Sequence, residues 1–183
     1  MQPAEAVREA WAAGQRDFGE NYAQHLRDRV QVLDDLAGIR WHAIGPLQTN
    51  KVKYVAVAAS AFHALDRLEI AVELGKRRTA GPIPCFVEVN VAGEATKHGV
   101  APDALGELLA GVRGVEGIDV VGLMCMPPAG EAEEARPWFR RLRELAAEHG
   151  LSGLSMGTTH DFEVAIEEGA TVVRVGRSIF GER

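Results

Sequence analysis

The chain has 183 residues, 46% of them hydrophobic and 25% charged, with a formal net charge of -6. That is enough apolar material for one packed globular domain, and an acidic balance without a basic stripe excludes general nucleic-acid binding. The start reads as an amphipathic helix rather than a signal peptide, and no apolar run approaches membrane-spanning length.

In chain order, helical periodicity over Pro3–Ala13 leads into a short strand at Asp17–Gly19. The segment FGENY, Phe18 to Tyr22, places Glu20 and Asn21 at the C-terminal end of that strand. Asn21 can cap the next helix, Asn21–Leu36, or hydrogen-bond a ligand. A strand at Trp41–Gly45 follows within WHAIGPLQTNK, whose Gln48, Asn50 and Lys51 open a helix over Gln48–Ala59. The strand Phe62–Leu65 and helix Arg67–Arg78 come next. His42 and His63 alternate with apolar residues and read as lone, internally satisfied histidines, without metal-ligand spacing.

The strand Cys85–Val91 ends in a glycine-containing loop, NVAGEATKHG, that carries Lys97 and His98. After a helix over Pro102–Arg113, the strand Val120–Met126 holds Met124 and Met126, which read as core filling. Cys85 and Cys125 have no CxxC spacing and read as buried, reduced thiols of a cytosolic protein. The helix Glu131–His149 interleaves Arg136, Arg140, Arg141 and Arg143 with glutamates, as a solvated face does. The last units are the strand Leu154–Met156, the helix Thr159–Glu168 and the strand Val172–Val175. Arg174 alternates with Val173 and Val175 there and needs a carboxylate, a phosphate or a ring nitrogen; a barrel glutamate such as Glu88 is one candidate.

Strand alternating with helix argues a parallel sheet under helices. Seven strands are visible, whereas a closed (β/α)8 TIM-type barrel has eight and usually runs from about 200 residues upward. The pattern is that of a barrel short of its first strand. An open doubly wound sheet is the rival, without a GxGxxG fingerprint to support it. The turns after the last two strands, at Ser155 to Thr158 and Gly176 to Ser178, offer backbone N–H groups and hydroxyls. In a β/α barrel that is the usual phosphate position, and Thr158 and Thr159 read as caps of the following helix; two ordinary capped turns would look the same.

Taken in order, FGENY, WHAIGPLQTNK, NVAGEATKHG, GLMCMPP and SMGTTHDFEVAIEEGATVVRVGRSIFG resemble the YggS/PROSC family. These are the pyridoxal 5′-phosphate (PLP) homeostasis proteins, related to the N-terminal barrel of alanine racemase. The resemblance covers essentially the whole chain. It implies a single barrel over residues 1–183, a non-catalytic carrier of PLP and apo-enzymes that accept the cofactor; the composition adds a cytoplasmic protein with no membrane or nucleic-acid partner. By position it puts the phosphate on Ser155, Gly157, Thr158, Gly176, Arg177 and Ser178, with Arg174 facing the pyridine nitrogen and Asn21 beside the ring. An amino-acid racemase is the enzymatic alternative, and it needs a lysine and an opposing tyrosine.

Two departures stand out. The family's Schiff-base lysine lies on the first barrel strand, in a run like V-S-K-T-K-P ahead of the helix that begins here at Pro3; this sequence opens Met1-Gln2-Pro3. The expectation is therefore an N-terminally truncated barrel with impaired covalent binding, and Lys51 and Lys97 near the mouth. Family members are usually monomeric, but open strand edges invite poor solubility or an oligomer. The family's SxGMSxD also carries Thr158 and Thr159 in place of Met and Ser, keeping a hydroxyl at the second position.

Overall fold

A computed structural model describes residues 2–94 and 96–181. Seven parallel strands run in sequential order: β1 (Asp17–Glu20), β2 (Arg40–Ala43), β3 (Ala61–Leu65), β4 (Ile83–Glu88), β5 (Ile118–Met124), β6 (Gly153–Thr158) and β7 (Val172–Arg174). The helices between them are α1 (Ala4–Ala12), α2 (Ala23–Val32), α3 (Val52–Ala58), α4 (Leu68–Arg77), α5 (Leu105–Val112), α6 (Arg136–Glu148), α7 (Phe162–Glu167) and α8 (Arg177–Phe180). Each strand is thus followed by a helix, as parallel pairing requires of its crossovers. All seven expected strands are present. α8, a single turn, is one the periodicity had no length to reveal.

Burial explains the pattern. All of β3, from Ala61 to Leu65, is buried, which is why it reads as a continuous apolar run instead of an alternating one. Helices give the core one stripe each: Ile70, Ala71 and Leu74 in α4, and Phe139, Leu142, Leu145 and Ala146 in α6. These join one cluster with Phe62, Leu65, Val87 and Leu123 of the strands. Cys85 and Cys125 lie inside it, and burial pushes each thiol up to about 12, so neither is a nucleophile at neutral pH.

The sheet curls into a barrel that does not close. Among the described residues β1 pairs only with β2 and β7 only with β6, and both border one opening through Phe18, Val172 and Val173. The strand count read from the sequence and this seam agree.

The arginines of α6 are not simply a solvated face. Arg136, Arg140 and Arg143 converge on Glu168, at 3.2, 3.0 and 3.0 Å, just beyond α7. That carboxyl is only 4% exposed and is held below the usual carboxylate range, first by its hydrogen bond from Arg140. Arg141 alone fits the expectation, pairing outward with Glu144 and Glu148. The start of α7 also differs from the expectation. Asp161 is its N-cap residue, and Asp161 Oδ1 accepts from the Thr158 amide (2.6 Å) and the Thr158 hydroxyl (3.0 Å). Thr158 is the last residue of β6, so the aspartate ties back to the strand instead of threonine capping forward.

Candidate functional site

Because every strand is parallel, all the C-terminal ends open on one face, where successive βα turns deliver their side chains. A cavity of about 1500 Å³ opens there and runs to the seam, lined by Asn21, Glu88, Lys97, Thr159, Arg174 and Arg177 among others. That is larger than a typical small-ligand pocket of roughly 300–1,000 Å³. Glycine shapes its rim at two places. A Cβ on Gly45 would strike the backbone of Asn21, so the β2 turn can approach the β1 turn only as glycine. Gly157 has φ +90°, and a Cβ on it would lie 2.5 Å from Ala165 Cβ and 3.0 Å from Phe162 Cα.

Of the residues assigned to the cofactor from the sequence, Asn21, Thr158, Arg174, Gly176 and Arg177 line this cavity. Ser155, Gly157 and Ser178 are not part of its lining. Ser155 is fully buried and Gly157 sits in the packed β6–α7 turn. The two turns are nevertheless joined. Thr159 Oγ1 accepts from the amides of Gly176 (3.2 Å) and Arg177 (3.1 Å). These are amides of the kind that cradle a phosphate, here occupied by a threonine oxygen. The sequence reading took Thr159 as a helix cap and left it out of the cofactor-binding set, although the hydroxyl retained at that position was the signal.

Arg174 is bonded differently from the expectation. Nη1 donates to Ser155 Oγ at 2.6 Å, and Nη2 donates to the Cys125 carbonyl and to Met126 Sδ, both at 2.9 Å. No ion pair holds it among the described residues; Glu88 and Asp161 act only through space. Burial is the main influence and pulls its guanidinium below the ordinary arginine value. Met126, expected in the core, is 46% exposed and serves as this sulfur acceptor. A guanidinium carries five N–H bonds, and these three contacts do not use all of them.

Glu88 closes the wall beside it. The residue is 7% exposed, and burial, reinforced by Asp66 and opposed by Arg174, pushes its carboxyl up to about 7. For an acid whose folded value is raised from 4.5, the folded protein keeps a proton that the unfolded chain has released. Its contribution to stability is full below that window and declines as pH rises towards and through about 7. Glu88→Gln is therefore expected to raise the melting temperature at about pH 8 and to leave it unchanged at about pH 4, in paired thermal melts.

Lys97 lines the mouth, where its ammonium contacts Glu94 Oε2 (2.7 Å) and donates to the Pro127 carbonyl (2.8 Å). Lys51 lies in the turn before α3 and is not part of the lining. The two histidines read as lone are a pair. His42 Nδ1 and His63 Nε2 are 2.8 Å apart, His63 Nδ1 is 2.8 Å from Ser155 Oγ, and His42 Nε2 is 3.1 Å from Asp17 Oδ1. Strand parity carried that signal, since His42 and His63 sit on adjacent strands of one barrel and both point inward.

The family model for the alanine racemase N-terminal domain matches residues 2–183. A pyridoxal phosphate homeostasis protein of Aquifex aeolicus is 46% identical over 99% of this chain and 83% of its own length. PipY of Synechococcus elongatus, solved with PLP bound, is 33% identical and superposes with a TM-score of 0.90 over 98% of this chain and 88% of PipY. Its PLP-free structure gives a TM-score of 0.91 at 34% identity, with the same coverage. The chain belongs to the YggS/PROSC family of pyridoxal phosphate homeostasis proteins, built on the barrel of the alanine racemase N-terminal domain.

Proposed function

We propose that this protein binds PLP at the C-terminal face of its barrel and hands it on to apo-enzymes in the cytoplasm, without turning over a substrate. The observation that carries the reading is Arg174, a cation on the cavity wall held by a hydroxyl, a carbonyl and a thioether and by no carboxylate among the described residues. A cation kept without a protein counter-ion suits a site that receives an electron-rich atom from a ligand. The second support is the joined pair of turns at Thr159, Gly176 and Arg177, which suits a phosphate.

In this reading Arg174 meets the pyridine nitrogen, Asn21 lies beside the ring, and the phosphate takes the β6–α7 and β7–α8 turns. PLP supplies an electron sink whose strength depends on a protonated ring nitrogen. Arginine does not give up its proton, so Arg174 donates a hydrogen bond and leaves that nitrogen unprotonated. A weak sink suits a carrier better than an amino-acid enzyme. No helix among the described residues is long and apolar enough to cross a membrane.

The test is equilibrium titration of the protein with PLP and, separately, with pyridoxal, which lacks the phosphate. PLP is expected to bind at least about tenfold more tightly, and Thr159→Ala should weaken PLP by about 1–3 kcal/mol while leaving pyridoxal unaffected. A protein that takes up no PLP, or binds both equally, overturns the reading.

A further inference from the structure

We propose that His63, backed by His42 and Asp17, is a positioning relay that makes Ser155 a pure acceptor and so fixes the Arg174 guanidinium towards the ligand. The proposal rests on the PLP reading for what Arg174 faces, but its geometry stands without a ligand. Five side chains from β1, β2, β3, β6 and β7 form one line across the barrel: Asp17, His42, His63, Ser155 and Arg174.

The direction of that line follows from its two ends. Arg174 can only donate, and Asp17 as a carboxylate can only accept. Asp17 is held ionised, below the usual range, first by Arg40 and then by His42. His42 Nε2 must therefore carry the hydrogen that faces Asp17, which leaves Nδ1 of a neutral His42 as an acceptor. That acceptor requires the hydrogen of His63 on Nε2, so His63 Nδ1 accepts from the Ser155 hydroxyl. The Ser155 oxygen is then left with lone pairs alone, directed at Arg174. The opposite direction would set the bare Nε2 of His42 against the Asp17 carboxylate, acceptor against acceptor.

His63 suits the role because it cannot charge. It is fully buried and stacked on Phe86, with ring centroids 4.5 Å apart, and its burial keeps the ring neutral. Bonds aligned in one direction in a low-dielectric interior strengthen one another. A negative charge at the seam thus decides, through the two imidazole rings, which way the hydroxyl beside Arg174 points.

The test has a ligand-free arm and a binding arm. Nitrogen-15 NMR of the histidine rings in the PLP-free protein should show both His42 and His63 as the Nε2–H tautomer. His63 found as Nδ1–H, or as a mixture, overturns the relay. In the binding arm, His63→Leu should lower PLP affinity about tenfold, the scale of one hydrogen bond to a charged group. His63→Gln, which keeps one donor and one acceptor, should recover most of that loss. Equal affinity of the two variants overturns the proposal. If His63→Leu does not fold, Asp17→Asn reports instead: it should turn the His42 and His63 tautomers into mixtures, and unchanged tautomers overturn the relay. Because the NMR readout needs no ligand, its failure is distinct from a failure of PLP to bind.

Discussion

Arg174→Met is expected to lower PLP affinity about 100-fold while leaving the free energy of unfolding within about 1 kcal/mol of the original protein. The binding loss follows from removing a charge-assisted hydrogen bond together with the only cation that β7 brings to the cavity wall. The small stability change follows from two opposed terms. A methionine relieves a guanidinium of its desolvation, which burial already makes unfavourable. It also orphans the Cys125 carbonyl and removes the donor to Ser155. Titration with PLP and urea unfolding of the same preparation separate the two. Intact affinity with a large drop in stability would make Arg174 a structural member and overturn its place at the ring.

Gly157→Ala should cost about 3 kcal/mol, combining a left-handed backbone that L side chains avoid with overpacking against α7. The Cβ would sit 2.5 Å from Ala165 Cβ and 3.0 Å from the backbone at Phe162, and neither neighbour is the free end of a flexible side chain. For a chain of this length that corresponds to a melting temperature lower by about 10 °C. The turn that Gly157 makes also delivers Thr158 and Thr159 to the cavity. PLP affinity should therefore fall in the folded fraction as well, and a melt with paired PLP titration reads both. A variant as stable as the original would show that α7 can move away from β6 at little cost.

The layout of strands and helices was legible because parallel strands in a barrel are buried on both faces and amphipathic helices alternate with them. That signal placed β3, β6 and β7 within a residue or two. It started β4 and β5 late, since Ile83, Pro84, Ile118 and Asp119 do not read as strand: one pair includes a proline, the other a charge. The family motifs picked out Asn21, Thr158, Arg174, Gly176 and Arg177, which line one cavity. They did not show how Arg174 is held, because the acceptors are a carbonyl on β5's far end, a thioether and a serine, and none is marked by charge or spacing. Glu88 was offered as its partner from residue type alone, whereas the structure leaves that carboxyl facing the cavity. His42 and His63 were separately legible as inward strand residues; their contact depends on the curl of the barrel, which one-dimensional periodicity does not contain.

The convergence of Arg136, Arg140 and Arg143 on Glu168 bears on the open seam. Glu168 ends the unit that turns at Gly169 into β7, which among the described residues pairs only with β6. This last unit is tied to the outer helical layer through charges. The arginine side chains are partly exposed while Glu168 is buried, so dissolved ions screen these pairs in part, and the apolar core not at all. The edge of the barrel next to the ligand cavity is thereby sensitive to ionic strength in a way that β3 and β4, locked between neighbours, are not.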